Sequence, residues 1–260
     1  MPETDLSLLI DAARASGEIA KQFFQSDAKT WDKPDGTGPV TEADLAVNAM
    51  LEEKLRVARP DYGWLSEESQ DSLDRQSRES VFIIDPIDGT RSFIEGAKTW
   101  AHSLAIARAG KVTAAVVLLP MRDMMFSAGL GTGAHLNGAP ITASLHKGVS
   151  GAQILAARPS MDARHWKAAE APDIKRHHRP SLAYRLSLVA QGSFDAMFTF
   201  RPSWEWDIAA GALITSEAGG CITDKTGAAL KFNGVDPRLN GVLAAGPALH
   251  SELLSLLAPA

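Results

Sequence analysis

The chain has 260 residues, 45% of them hydrophobic and 22% charged, and its 26 Lys and Arg against 31 Asp and Glu leave a formal charge of −5. Those proportions exclude a disordered, collagen-like or fibrous protein. The acidic balance also argues against a surface built to displace counterions from a nucleic-acid polymer.

Apolar residues recur at helical spacing from Leu6 to Phe24, predicting an amphipathic first helix. Asp32 to Pro39 is a Gly- and Pro-rich loop, expected to be mobile, after which Thr41 opens a second helix that must stop before Pro60. Short strands are expected at Tyr62 to Leu65 and Val81 to Ile84, the second ending in Asp-Pro. The middle of the chain reads as antiparallel sheet: Ser103 to Ala109, a turn at Gly110-Lys111, Val112 to Leu119, Met124 to Ala128 and Ala134 to Asn137. Asn137-Gly138 is a hairpin signal. Beyond Ser150, helices near Leu182 to Gln191 and Ile208 to Ala218 alternate with strands at Phe194 to Phe200, Cys221 to Thr223 and Val242 to Ala245. This suggests a layered α/β half. The expected division is an N-terminal α+β half, 1–145, and a C-terminal α/β half, 146–260.

The lone Cys221 admits no internal disulfide and points to a reducing compartment. Met1 to Ile10 carries no Lys or Arg, so no signal peptide is read there. The longest apolar stretch, Ala114 to Leu119, falls far short of the roughly 18 residues that a membrane span needs. A cytoplasmic chain is expected.

The densest chemistry lies in Asp85-Pro86-Ile87-Asp88-Gly89-Thr90-Arg91. Two carboxylates at a strand end offer hard oxygen ligands suited to magnesium, and a helix beginning after Gly89 would present free amides to an anion. The same residues could instead build only an Asx-type turn. Trp64-Leu65-Ser66-Glu67-Glu68-Ser69 adds two acids after a short strand, with Glu68 expected at solvent or behind Glu67. Trp206-Asp207 opens a helix that ends in Glu217-Ala218-Gly219-Gly220. Thr41-x-x-Asp44 is equally a capping box, and Asp207 could be a helix N-cap, although its long motif context favours a ligand. His102 and His135 have no partner at zinc spacing and read as structural, and Gly129 to Gly133 reads as a hairpin loop.

Together these segments resemble the inositol monophosphatase family of lithium-sensitive, magnesium-dependent phosphomonoesterases. Asp85 to Thr90 matches its first signature and Trp206 to Gly220 its second, while Val40 to Asp44 and Ser66 to Ser69 match two shorter motifs. The resemblance implies an α+β fold, a layered αβαβα sandwich of the inositol monophosphatase and fructose-1,6-bisphosphatase type. It implies two or three Mg2+ ions, with Glu67, Asp85 and the Ile87 carbonyl on one and Asp85, Asp88 and Asp207 on a second. Thr90, polarised by Asp44, would align the attacking water with Glu67. Gly89, Thr90, Asp88 and Asp207 would meet the substrate, and Lys33 would approach an outer water.

Inositol-selective members carry a glutamate seven residues before the second-motif aspartate, where this chain has Phe200. Pro180 to Arg185 looks more like the branch that removes the 3′-phosphate of adenosine 3′,5′-bisphosphate. Arg158, Arg176, Arg179 or Arg185 could meet a second phosphate, although Lys175 to Arg179 also reads as a solvated loop. Inositol monophosphatase is the alternative, then histidinol-phosphate phosphatase. Some bacterial relatives act through protein or RNA contacts, which gives a non-enzymatic alternative. The expected partner is a small phosphorylated metabolite, with no nucleic-acid polymer, no membrane and a homodimer in reserve.

Overall fold

A computed structural model describes residues 4–33, 36 and 38–259. The first helix, α1 (Asp5–Phe23), begins where the Thr4 hydroxyl accepts the Ser7 N–H. Strands β1 (Thr30–Asp32) and β2 (Pro39–Thr41) pair antiparallel. Pro34, Asp35 and Thr37, in the loop expected to be mobile, lie outside the described residues. In α2 (Glu42–Ala58) the Thr41 hydroxyl and the Asp44 carboxylate close a reciprocal capping box.

A seven-stranded sheet follows in chain order: β3 (Gly63–Ser66), β4 (Ser80–Asp88), β5 (Ala101–Arg108), β6 (Lys111–Leu119), β7 (Met124–Gly129), β8 (Ala134–Leu136) and β9 (Ala139–Pro140), with the short α3 (Thr90–Ile94) between β4 and β5. β3 and β4 are parallel and the later pairs antiparallel. Asn137 and Gly138, both at positive φ, turn β8 into β9 as the sequence predicts. The β5–β6 turn falls one residue earlier than expected, on Ala109 and Gly110. β4 does not stop before Asp-Pro: it runs on to Asp88 through a bulge between Asp85 and Asp88. Pro86 cannot donate to a ladder, and a bulge is where a strand tolerates that loss.

The remaining elements are β10 (Gln153–Ala156), β11 (Lys175–His177), α4 (Leu182–Ala190), β12 (Ala196–Thr199), β13 (Ser203–Trp204), α5 (Glu205–Glu217), β14 (Cys221–Thr223), β15 (Arg238–Leu239), β16 (Val242–Ala245) and α6 (Pro247–Leu256). The second sheet has the order β11-β10-β12-β16-β14. The basic run read as a solvated loop is therefore partly its edge strand, β11, paired in parallel with β10.

Strand alternation builds the layers, because successive side chains point to opposite faces. Phe82 and Ile84 pack with α1 and α2, while Val81 and Ile83 pack with α4 and α5. In the second sheet Leu155, Met197 and Ala244 also meet the α4–α5 layer, whereas Ile154, Phe198 and Leu243 meet Leu249 and Leu253 of α6. The order is helix, sheet, helix, sheet, helix, as expected. Lying between two sheets, α5 is buried from Ile208 to Thr215 and apolar on all sides. Gly211 lets it close on α4, since a Cβ there would stand 2.5 Å from Leu186 Cβ. Among the described residues no helix is long and apolar enough to cross a membrane.

Candidate active site

The β4 bulge and the first turn of α5 bring together carboxylates that are far apart in sequence. Asp85, Asp88 and Asp207 each offer an oxygen within 4.8 Å of the others. Asp85 and Asp88 are buried, and neither oxygen of Asp85 has a hydrogen-bond partner among the described residues. Asp88 is held through one oxygen only: Oδ2 accepts the Ser181 hydroxyl at 2.7 Å and the Ala183 N–H at 2.7 Å. Ser181, at φ 64, caps α4 by accepting the Tyr184 N–H.

Loss of hydration dominates the electrostatics. Burial, reinforced by the charges of Glu67 and Asp88, pushes Asp85 well above the ordinary carboxylate range. Burial and Asp88 do the same to Asp207, and burial lifts Asp88 to about 6 against the Ser181 and Ala183 donors. Crowded, desolvated carboxylates resist ionisation unless a cation stands among them. An all-oxygen donor set of this kind suits a hard divalent ion.

The neighbouring residues add a second line of contacts. The Thr90 hydroxyl lies 3.3 Å from Asp44 Oδ1 and 3.1 Å from the Ile87 carbonyl. Asp44 takes the Thr41 N–H and hydroxyl on its other oxygen, and burial still lifts it to about 6. Its two readings, cap and site residue, are thus compatible. Lys33 Nζ sits 2.8 Å from Glu67 and 2.8 Å from Glu68. Burial disfavours its charge, but Glu67 and Glu68 more than compensate and raise its pKa. Glu68 does not point to solvent; its side chain is 5% exposed, and burial lifts it to about 7. Gly89 has φ 102 and leads into α3.

His102 is buried in β5, with Nδ1 against the Pro86 carbonyl. Burial depresses it to about 4, so the neutral ring donates from Nδ1 and steadies the bulge. His135 lies in β8, and the Gly129 to Gly133 loop joins β7 to β8, its Gly131 and Gly133 N–H groups donating to Glu217.

The acids line one part of a cleft of about 380 Å³ whose other lining residues include Arg91, His178, Arg185, Arg201 and Trp204. Of the four arginines considered from sequence, Arg185 lines it; Arg158, Arg176 and Arg179 do not. Arg176 instead donates to the Ala156 carbonyl, and Arg179 lies over the Phe194 ring. Arg185 is buried and fixed by the Arg179 carbonyl and by His178 Nε2. Sequence reasoning missed Arg201, although it directly follows Phe200 on the approach to Asp207. Phe200 is absent from the cleft lining and stacks on Phe198 with ring centroids 4.9 Å apart. Trp204 stacks on Trp206 at 4.7 Å.

Residues 1–260 match the family model for the inositol monophosphatase family. A Pseudomonas aeruginosa protein named Nus factor SuhB is 34% identical over 85% of this chain and 86% of its own length. An inositol-1-monophosphatase of Rhizobium meliloti is 36% identical over 85% and 86%. Among solved structures, the extragenic suppressor protein suhB of Bartonella henselae superposes with a TM-score of 0.81 at 27% identity, covering 95% of this chain and 96% of that one. An IMPase of Thermotoga maritima gives 0.81 at 26% identity, covering 96% and 95%.

Proposed function

The chain belongs to the inositol monophosphatase family, and from that premise we propose that it is a magnesium-dependent phosphomonoesterase that hydrolyses a small phosphorylated metabolite with water. The observation that carries this reading is Asp85, a buried carboxylate with both oxygens unpartnered among the described residues and two further carboxylates within ligand reach. Leaving such a group uncompensated is costly, and a divalent ion removes the cost. In this reading Asp85, Asp88 and Asp207 would hold Mg2+, Glu67 and the Ile87 carbonyl would complete the set of ligands, and two or three ions would be bound. When bound, the ions supply an activated water and charge neutralisation at the leaving oxygen.

The chain's own groups orient the reaction. The Thr90 hydroxyl donates its hydrogen bond to Asp44 or the Ile87 carbonyl, which leaves its oxygen free to accept from the attacking water. Glu67 aligns the same water, and Lys33 balances the charge of Glu67 and Glu68. The Gly89 and Thr90 amides donate to the phosphate. Water attacks in line, the ester P–O bond breaks, and the alcohol departs without a covalent enzyme intermediate.

The first substrate in this reading is adenosine 3′,5′-bisphosphate, which loses its 3′-phosphate. Arg185 and Arg201, with Arg91, give the cleft cations for a second phosphate, and Phe200 supplies no carboxylate for sugar hydroxyls. Inositol 1-phosphate ranks next, supported by the Rhizobium meliloti relative, and histidinol phosphate third. Phosphate release from the three, by wild type and Arg201→Ala, tests this order. The bisphosphate should turn over fastest, and its KM alone should rise about tenfold in the variant. Preference for inositol 1-phosphate overturns the substrate; release from none overturns the enzyme.

A second reading, regulation through protein or RNA contacts, draws on the relatives named Nus factor. Capture of a cellular partner by a chain inactive on all three esters would favour it. A cytoplasmic homodimer, sensitive to lithium, with its site between the 1–145 and 146–260 halves, completes the proposal.

A further inference from the structure

Arg75 lies outside the cleft, yet its side chain is only 1% exposed. It follows β3 in the short helical turn Leu73–Ser77, and its Cβ packs so closely on Gly63, the first residue of β3, that a Cβ on that glycine would be 2.9 Å away. Its guanidinium forks onto Asp71 with contacts of 2.7 and 2.8 Å. The remaining Nη1 donates to Asn233 Oδ1 at 2.6 Å.

Asn233, at φ 62, carries the connection onward. Its N–H and that of Gly234 donate to the two oxygens of Glu205 at 2.6 and 2.8 Å. Glu205 is 1% exposed and is the first residue of α5, two before Asp207. A buried carboxylate with both oxygens taken by backbone donors cannot shift alone, and the donors are themselves tied to Arg75. The chain of bonds therefore runs from the element packed on β3, whose end leads into Glu67, to the turn that presents Asp207. The two carboxylates come from segments 140 positions apart, and this series of bonds joins the segments that carry them.

We infer that Arg75, through Asn233 and Glu205, is a positioning residue that holds Asp207 in register with Glu67 and Asp85 for divalent-cation binding. The inference rests on the metal-site reading proposed above. Partners behind metal ligands typically contribute about ten- to a hundredfold to affinity, because a ligand that must be reordered on binding loses what preorganisation gave.

The test is Mn2+ binding, followed by electron paramagnetic resonance on the full-length protein, for wild type, Arg75→Met and Asn233→Gly. Asn233→Gly removes only the side-chain joint and keeps both the left-handed backbone and the N–H groups to Glu205, so it serves if Arg75→Met does not fold. Both folded variants should bind Mn2+ about tenfold more weakly. Their half-saturating Mg2+ for phosphate release should rise in step, while kcat at saturating Mg2+ stays near wild type. Wild-type Mn2+ affinity in a folded Asn233→Gly protein would overturn the brace. Failure of folded wild type to bind Mn2+ would instead overturn the metal site on which it rests.

Discussion

Ser181 anchors Asp88 from 93 positions further along the chain, its hydroxyl donating to Oδ2 at 2.7 Å. Because the Ala183 N–H takes the same oxygen, Oδ1 is left for a cation. Ser181→Ala should raise half-saturating Mg2+ about tenfold and cost about 1 kcal/mol as a lost N-cap. Ser181→Gly separates the two effects. It relieves the positive φ, so its melting temperature should stay nearer wild type while the Mg2+ requirement rises equally. Magnesium titrations of phosphate release with parallel thermal melts decide this.

Stability of the metal-free protein should depend on pH in a defined way. Asp44 and Asp88 are raised to about 6 and Glu68 to about 7 from ordinary carboxylate values near 4, and Asp85 and Asp207 are also raised. The folded state therefore binds more protons than the unfolded chain, and stability present at low pH is lost as pH rises through the folded values. His102 acts in the opposite sense: with a folded pKa of about 4 against 6.5, it withdraws stability as pH falls between those values. In chelator, the melting temperature should climb as pH falls from 8 towards about 4, less steeply below about 6.5, where His102 opposes the carboxylates. Saturating Mg2+ should remove the deficit at pH 8. A metal-free melting temperature that falls from pH 8 to 6 contradicts the carboxylate account.

Thr90 has a role separable from stability. Thr90→Ala should lower kcat by roughly 10² or more, the usual range for a group that positions a transferring proton, with a nearly unchanged melting temperature. Thr90→Ser should retain activity. Asp44→Asn should lose both activity and about 1 kcal/mol, because Asp44 also closes the capping box. An active Thr90→Ala protein would remove Thr90 from the mechanism.

The helix layer between the sheets has little slack. Gly211→Ala places a Cβ 2.5 Å from Leu186 Cβ, and overpacking of this kind costs about 1–3 kcal/mol. That outweighs the gain of up to about 1 kcal/mol in helix propensity, so a chemical-denaturation midpoint should drop.

The local signals in the sequence proved readable where backbone chemistry is local. Asn137-Gly138 dictates its own turn, Thr41 and Asp44 their own cap, and strand alternation the layers. The reading failed where a long-range contact decides. β4 continues past Ile84 because β5 still pairs with Asp85 and Asp88 across the bulge, which Pro86 alone does not reveal. The Lys175 cluster becomes an edge strand only because β10 accepts it, and which of its two expected places Glu68 takes, the one behind Glu67, is decided by Lys33 from a separate loop. Asp85, Asp88 and Asp207 stood out as motifs, but the Ser181 tether, the Arg201 side of the cleft and the Arg75 brace depend on tertiary placement that has no spacing signature.

The central claim is that the Asp85, Asp88 and Asp207 cluster holds the divalent ion needed for phosphate-ester hydrolysis. Its most direct test is the initial rate of phosphate release by wild type and Asp88→Asn, in Mg2+ and in chelator, on the best of the three esters. Wild type should release phosphate only with Mg2+, and a folded Asp88→Asn protein should release essentially none. Equal rates in chelator, or an unchanged rate in Asp88→Asn, would contradict the account.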